Sequence, residues 1–400
     1  MRKKWISPVL LAAILSINVA FPALAAGPGQ TEDPIPEGVT QEQWNRLNDQ
    51  RIEFDELGDL VRYFNPTMKN AETSFSTFIG DYQYIVDKMR RQVIDLQSDA
   101  DELKESGAVK TVEGATQYSA LNYAIKSYKK SADNTQKMLD KMSRENSSGR
   151  ADINKGSKTL TYYADQTMIG YNSAQASRSM IEKLVELSNA AYEAQKLSAG
   201  LGLATEADIL SAQKDLLSAQ GSLLKINSTI DNLSSSLCLM TGYSANATPA
   251  IGGLPQLTDE MISSLNLEED TQKAVSNNYD VISERHISSG KTTTGMKNKD
   301  DYVSEAEQNI IVTMQALYQE ILQSKTAYEA ANTAFQKATL EKEKADRSYN
   351  LKMLSKIQYL QAQMAYLKAQ GEKESAYNTF YQAYNTYQWA VDGIILNSAK

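Results

Sequence analysis

Two long spans of this chain carry a seven-residue apolar repeat and no proline. From Ile209 onward one register reads Ile209, Leu216, Leu223, Ile230, Leu237. A second, three residues on, reads Ala212, Ala219, Ile226, Leu233, Met240. Residues so spaced line one stripe of a helix and pack knob-into-hole against another helix. Five successive heptads exceed what an ordinary helix of three or four turns needs. Of the 8 prolines, none lies between Pro66 and Pro249 or after Pro255. Proline removes a backbone donor and clashes one turn back, so these spans are open to long helices. The fold class expected is all-α: long antiparallel helical hairpins packed like coiled coils, with strands few or absent.

The pattern is written twice. "LSAQKDLLSAQG" (Leu210 to Gly221) returns as "LQAQMAYLKAQG" (Leu360 to Gly371). In the second copy one register is Tyr359, Tyr366, Lys373, Phe380, Tyr387, and the other is Ala362, Ala369, Ala376, Ala383, Ala390. An alanine stripe lets a neighbouring helix lie close, and the aromatic stripe beside it supplies area to bury.

Both copies open on a capping signal. Thr205 precedes Asp208 by three residues and Ser355 precedes Gln358 by three, an arrangement in which two side chains satisfy each other's helix-start donors. Helices should therefore end near Ala199 and Tyr349 and restart at Thr205 and Ser355. Upstream of the second turn, Met314, Ile321, Tyr328 and Phe335 repeat by seven, with Leu317, Ala331, Ala338 and Ala345 beside them. Each copy is thus a helical hairpin, its second arm on the order of 50 Å long at 1.5 Å per residue. Neither hairpin can bury its apolar stripe alone. "FDELGDLVRYFNP" (Phe54 to Pro66) and "LEEDTQKAVSNNY" (Leu267 to Tyr279) open the two copies with a weaker parallel. "SANATPAIGGLPQLT" (Ser244 to Thr258) reads as a surface connection. The organisation expected is a targeting segment at 1–25, an extension at 26–53, a first repeat at 54–243, a linker at 244–266 and a second repeat at 267–400.

Arg2, Lys3 and Lys4, the apolar run Val9 to Ala20 and the small residues of Ala23-Leu24-Ala25 read as a secretory signal peptide. No Cys follows the run, which excludes a lipid anchor at a cleavage-site Cys. The formal charge of -8 becomes -11 once the three cations of 1–25 are removed. An acidic chain of this kind offers no footprint for nucleic acid. Cys238, the single cysteine, rules out an internal disulfide and reads as a packing residue. No later stretch is apolar enough to cross a bilayer as a helix.

A search for reacting groups finds no constellation. His286, the one histidine, lacks partners at metal-site or triad spacing and reads as a solvent-exposed or helix-end residue. Gly200-Leu201-Gly202 follows no strand, so it reads as a turn and not a phosphate loop. Glu268-Glu269-Asp270 and Asp300-Asp301 read as helix starts or solvated faces, and Tyr377, Tyr381, Tyr384 and Tyr387 as helix–helix core. No enzyme, cofactor or metal site is expected.

These residues resemble the TolC family of outer-membrane efflux proteins, over roughly 54–393. The resemblance is carried by "GLATEADILSAQKDLLSAQGSLL", "MLSKIQYLQAQMAYLKAQG", the "LCLMTGY" close of the first copy and the Asn-Pro helix opening. It implies a homotrimer in which each protomer gives two helical hairpins to a hollow barrel. It also implies an outer-membrane β-barrel with strands from both halves, and hairpin tips that meet a periplasmic adaptor (membrane fusion) protein joined to an inner-membrane pump. Carried over by position, the adaptor-facing tip residues are Gly200, Gly202, Leu203, Thr205, Met353, Leu354 and Ser355, with Lys352 near the place of the usual second glycine.

The membrane strands are where this chain departs from the family. Transmembrane strands need about ten alternating residues in pairs. Alternation in Thr159 to Tyr171 fails at Asp165 and Gln166, and Ser288 to Asp301 is polar throughout. The membrane barrel should be missing or vestigial. The functional expectation is an exported, TolC-like passive conduit, or its remnant, in the cell envelope; the alternative is a coiled-coil scaffold or adhesin with no channel. A conduit requires closed rotational symmetry, whereas a scaffold can be monomeric.

Overall fold

The structure is a computed structural model that describes residues 38–144, 147–290 and 292–396, with Pro28, Ile35 and Pro36. The expected signal segment, 1–25, lies outside them. The helices are α1 (Gln41–Leu47), α2 (Leu57–Phe64), α3 (Pro66–Glu105), α4 (Val112–Met142), α5 (Ser148–Gly200), α6 (Glu206–Met240), α7 (Asp259–Ser263), α8 (Leu267–Asn277), α9 (Tyr279–His286), α10 (Thr293–Asn350) and α11 (Lys356–Val391). The strands among the described residues are β1 (Arg51–Ile52) and β2 (Ala250–Ile251), a short parallel pair with Arg51 opposite Ala250 and Ile52 opposite Ile251. The expected all-α class is what the chain adopts. Residues 159–171 lie within α5, and Thr293 to Asp301 within α10, so both segments where membrane strands were sought are largely helical.

Contacts divide the described residues into two compact units, residues 62–158 in one and residues up to 61 with 159 onward in the other. In the first, α3 and α4 form a hairpin whose turn is a 3-10 segment, Ala108–Lys110, entered through Gly107 at φ +72°. Val86 and Ala132 are buried at matching distances from that turn. The start of α5 packs on α3: Arg150 pairs with Glu72 and lies over the Phe75 ring at 5.0 Å. Asn65 caps α3, its Oδ1 accepting from the amides of Thr67 and Met68, with Pro66 in the first turn where its missing donor costs nothing. Asn278 does the same for α9, accepting from Asp280 and Val281. The weak parallel between the two openings is therefore a shared capped break.

In the second unit the duplicated hairpins are α5–α6 and α10–α11. Every position of both registers read on α6 is buried or half-buried. Leu233 packs against Gly170, where a Cβ would sit 3.8 Å from the leucine, and the Thr167 hydroxyl meets Met240 Sδ at 3.9 Å. Between α10 and α11 the aromatic stripe forms rungs. Tyr349 stacks on Tyr359 with centroids 4.3 Å apart, Phe335 meets Tyr366 at 5.4 Å, Tyr328 meets Phe380 at 6.2 Å and Tyr318 meets Tyr387 at 6.2 Å. Ala369, Ala383 and Ala390 are buried and Ala362 and Ala376 half-buried, so helix α11 presents its small residues to neighbouring helices. Met314, Ile321, Phe380, Ala383 and Tyr387 join Ala274 of α8 and Val281 of α9 in one core.

The connection between the copies is tied down along its length. Gly252 N donates to Ile52 O at 2.9 Å, and Asn172 Nδ2 donates to Gly252 O at 3.3 Å. The Tyr377 hydroxyl donates to Pro255 O at 2.7 Å and accepts from Leu257 N at 3.0 Å. Enlarging the alanine stripe tests this packing. Ala383→Leu should destabilise the protein by about 1–3 kcal/mol, as overpacking does. An unchanged thermal midpoint would place that stripe in water.

Candidate functional site

The two tips are built alike, residue for residue, at an interval of 150. In the first, Leu203 N donates to Ser198 O at 2.9 Å and Gly202 N to Ala199 O at 2.9 Å. In the second, Met353 N donates to Ser348 O at 2.8 Å and Lys352 N to Tyr349 O at 2.9 Å. Both are Schellman endings, which satisfy the last carbonyls of a helix through one left-handed residue. That residue is Gly202 at φ +75° in one tip and Lys352 at φ +58° in the other. Each tip then restarts with a complete capping box, Thr205 with Asp208 and Ser355 with Gln358. The Thr205 amide and hydroxyl hold the Asp208 carboxyl below its usual range. This cap is fully charged at neutral pH and weakens as pH falls through that lowered value.

Of the tip residues named from sequence, Gly200, Gly202, Leu203, Thr205, Met353 and Ser355 are exposed and Leu354 is half-buried. Leu201, Leu203, Leu351 and Met353 are each more than two-thirds exposed. Each tip thus presents two apolar side chains on a turn held rigid from both sides. His286 is the exposed last residue of α9, its Nδ1 2.7 Å from Ile282 O. Cys238 is buried, its thiol raised in pKa by burial. Glu268-Glu269-Asp270 form the first turn of α8, where Asp270 accepts from the Tyr387 hydroxyl at 3.0 Å.

A second feature was not read from the sequence. Helix α11 of the second copy packs on α5 of the first. Asn385 and Trp389 both donate to Asp165, and a Cβ at Gly371 would lie 3.7 Å from Met180 Sδ. Leu360, at this seam, is 9% exposed. Among the described residues, the equivalent face of α6 is largely exposed. Leu210, the counterpart of Leu360, is 58% exposed, and Leu203, Leu217, Leu224 and Leu239 are exposed on the same side. A Cβ at Gly221, the counterpart of Gly371, would meet nothing within 4 Å. On α10 the counterparts of the α5 face, Gln315, Gln319, Leu322, Thr326 and Ala330, are exposed too. The signal was present as a third leucine register (203, 210, 217, 224) one residue past the first. It went unread because a hairpin partner needs only two stripes.

Among the described residues, no cluster of three metal-ligating side chains occurs and no helix is long and apolar enough to cross a membrane. Solved structures similar to this chain include three from bacteria. A membrane protein from Pseudomonas aeruginosa shares 11% identity over 85% of this chain and 90% of its own, with a TM-score of 0.46. The Campylobacter jejuni CmeC outer membrane channel shares 12% over 96% of each chain, with a TM-score of 0.42. The outer membrane protein VceC of Vibrio cholerae shares 11% over 85% of this chain and 96% of its own, with a TM-score of 0.45. No family model and no curated protein matches the chain. What bears on function is the correspondence between the chain's own two copies.

The left-handed residue at each tip can be tested directly. A non-glycine side chain in that conformation costs about 1 kcal/mol. Lys352→Gly should therefore raise stability by up to about 1 kcal/mol, and Gly202→Ala should lower it by a similar amount. Paired denaturant titrations would show both changes.

Proposed function

We propose that this chain is one protomer of a head-to-tail ring whose hairpins wall a passive, TolC-like conduit in the cell envelope. The observation that carries it is the half-used seam. Inside the chain, the outer face of α11 closes on α5. The same face of α6 and the same face of α10 are left open, and they are complementary by repetition: α6 of one copy fits α10 of the next as α11 fits α5. A contact between two different faces repeats from copy to copy, and closes into a ring when the rotation allows. Burying a leucine contributes about 1.5–3 kcal/mol, so the leucine row on α6 is a substantial drive to associate.

In this reading the ring is a homotrimer, with residues 54–243 and 267–400 as its alternating halves. The tips, through Gly200, Gly202, Leu203, Thr205, Met353, Leu354 and Ser355, meet an adaptor protein that links the ring to an inner-membrane pump. The rigid capped turns and their exposed apolar pairs suit such a contact. Opening would be a movement of hairpins with no bond chemistry, and a signal peptide would deliver the chain to the envelope.

The seam supplies its own probe. Because Gly371 meets Met180 within the chain, Gly221→Cys combined with Ala330→Cys should crosslink neighbouring copies under mild oxidation, giving a ladder that ends at three. Leu210→Glu with Leu217→Glu should leave helix content intact and give a monomer by native mass measurement. A wild-type protein that is monomeric with and without detergent would overturn the ring and leave the scaffold reading.

A further inference from the structure

Asp165 is an acid in an unusual place. It is 4% exposed on α5, between the buried Ala164 and Met168. Its Oδ2 accepts from Asn385 Nδ2 at 2.8 Å and from Trp389 Nε1 at 2.8 Å, both on α11. Gln166 Nε2 donates to Asn385 Oδ1 at 3.2 Å, which orients that amide. Tyr162 meets the Trp389 ring edge-on at 6.4 Å and so fixes the indole. From α11 the titratable group facing the carboxyl is Tyr381, itself buried beneath Phe54 at 5.2 Å. Among the described residues no Lys, Arg or His forms an ion pair with Asp165.

The cluster exists at one seam only. The counterparts of Asp165, Asn385 and Trp389 at the repeat interval are Gln315, Ser235 and Leu239, so neither the carboxyl nor its two donors recur at those places on the open faces. A buried charge without a cation is costly to keep, while two N–H donors favour it. Here burial outweighs the donors, and the carboxyl is pushed up to about 6.

We propose that Asp165 is a proton-operated latch on the α5–α11 seam: neutral, it holds the last helix of the second copy to the first copy; charged, it loosens that seam. The sign follows from linkage. A carboxyl raised in the folded chain favours the closed seam most at low pH, and this contribution is lost as pH climbs through the raised value. With an unfolded-like value near 3.8 in the opened seam, opening should increase roughly tenfold between pH 5 and pH 7.5. The device does not depend on the ring; it would act in a single chain.

Hydrogen exchange in the full-length protein, corrected for the intrinsic pH dependence of exchange, reads the seam. Amides of 160–170 and 383–391 should exchange roughly tenfold faster at pH 7.5 than at pH 5, while those of 326–336, between α10 and α11, should not change. Asp165→Asn, a permanently neutral analogue, should abolish the difference and hold the pH 5 level of protection. Trp389→Phe, which removes one donor to the charged form and spares the ring, should move the midpoint to higher pH. A wild-type seam without pH dependence, a dependence that survives in Asp165→Asn, or an unmoved midpoint in Trp389→Phe would each overturn the latch.

Discussion

Everything in the second unit depends on helices burying narrow stripes against one another along their length. A helix of 36 residues such as α11 has no core of its own. Its apolar side chains are strung along more than one side, and only neighbouring helices can remove them from water. The hairpin partner covers one side through the aromatic rungs between α10 and α11. Helix α5 covers another. The stability of each rod is therefore shared with its neighbours, and a rod on the edge of the array keeps an uncovered side.

That geometry explains why duplication leaves helix faces uncovered. Two hairpins give two hairpin seams, one seam between the copies inside the chain and one face left over at each end. The leftover faces are α6 with its leucine row and α10 with Gln315, Gln319, Leu322, Thr326 and Ala330. The inner seam mixes apolar contact with the Asp165 cluster, whereas the open α6 face is leucine-rich. Helices α6 and α11 are thereby made non-equivalent despite their common motif: α11 carries the amide and indole that a buried carboxyl on α5 requires, and α6 does not. Buried polar groups can specify one partner in this way while contributing little net stability.

The first unit shows the same economy of means at a different place. Here α3 and α4 form a helical hairpin, and the two segments read for membrane strands, Thr159 to Tyr171 and Ser288 to Asp301, fall in α5 and largely in α10. Backbone groups in these stretches are satisfied inside helices, so nothing in them calls for a sheet partner.

The helices, their tips and their duplication were legible because they follow from local rules. Absence of proline, the heptad stripes and the two capping boxes act within a few residues of themselves, and they placed the turns at Gly200–Thr205 and Tyr349–Ser355. The tertiary structure alone decided which stripe faces which helix. Leu210 and Leu360 occupy the same place in the same motif, yet one is exposed and the other buried, because only one of them has α5 across from it. Asp165 likewise looked like a break in an alternating strand, and became a buried acid once Asn385 and Trp389, some 220 residues away, were brought to it. A periodic pattern states that a residue needs cover; which rod supplies it depends on long-range packing that no local spacing encodes.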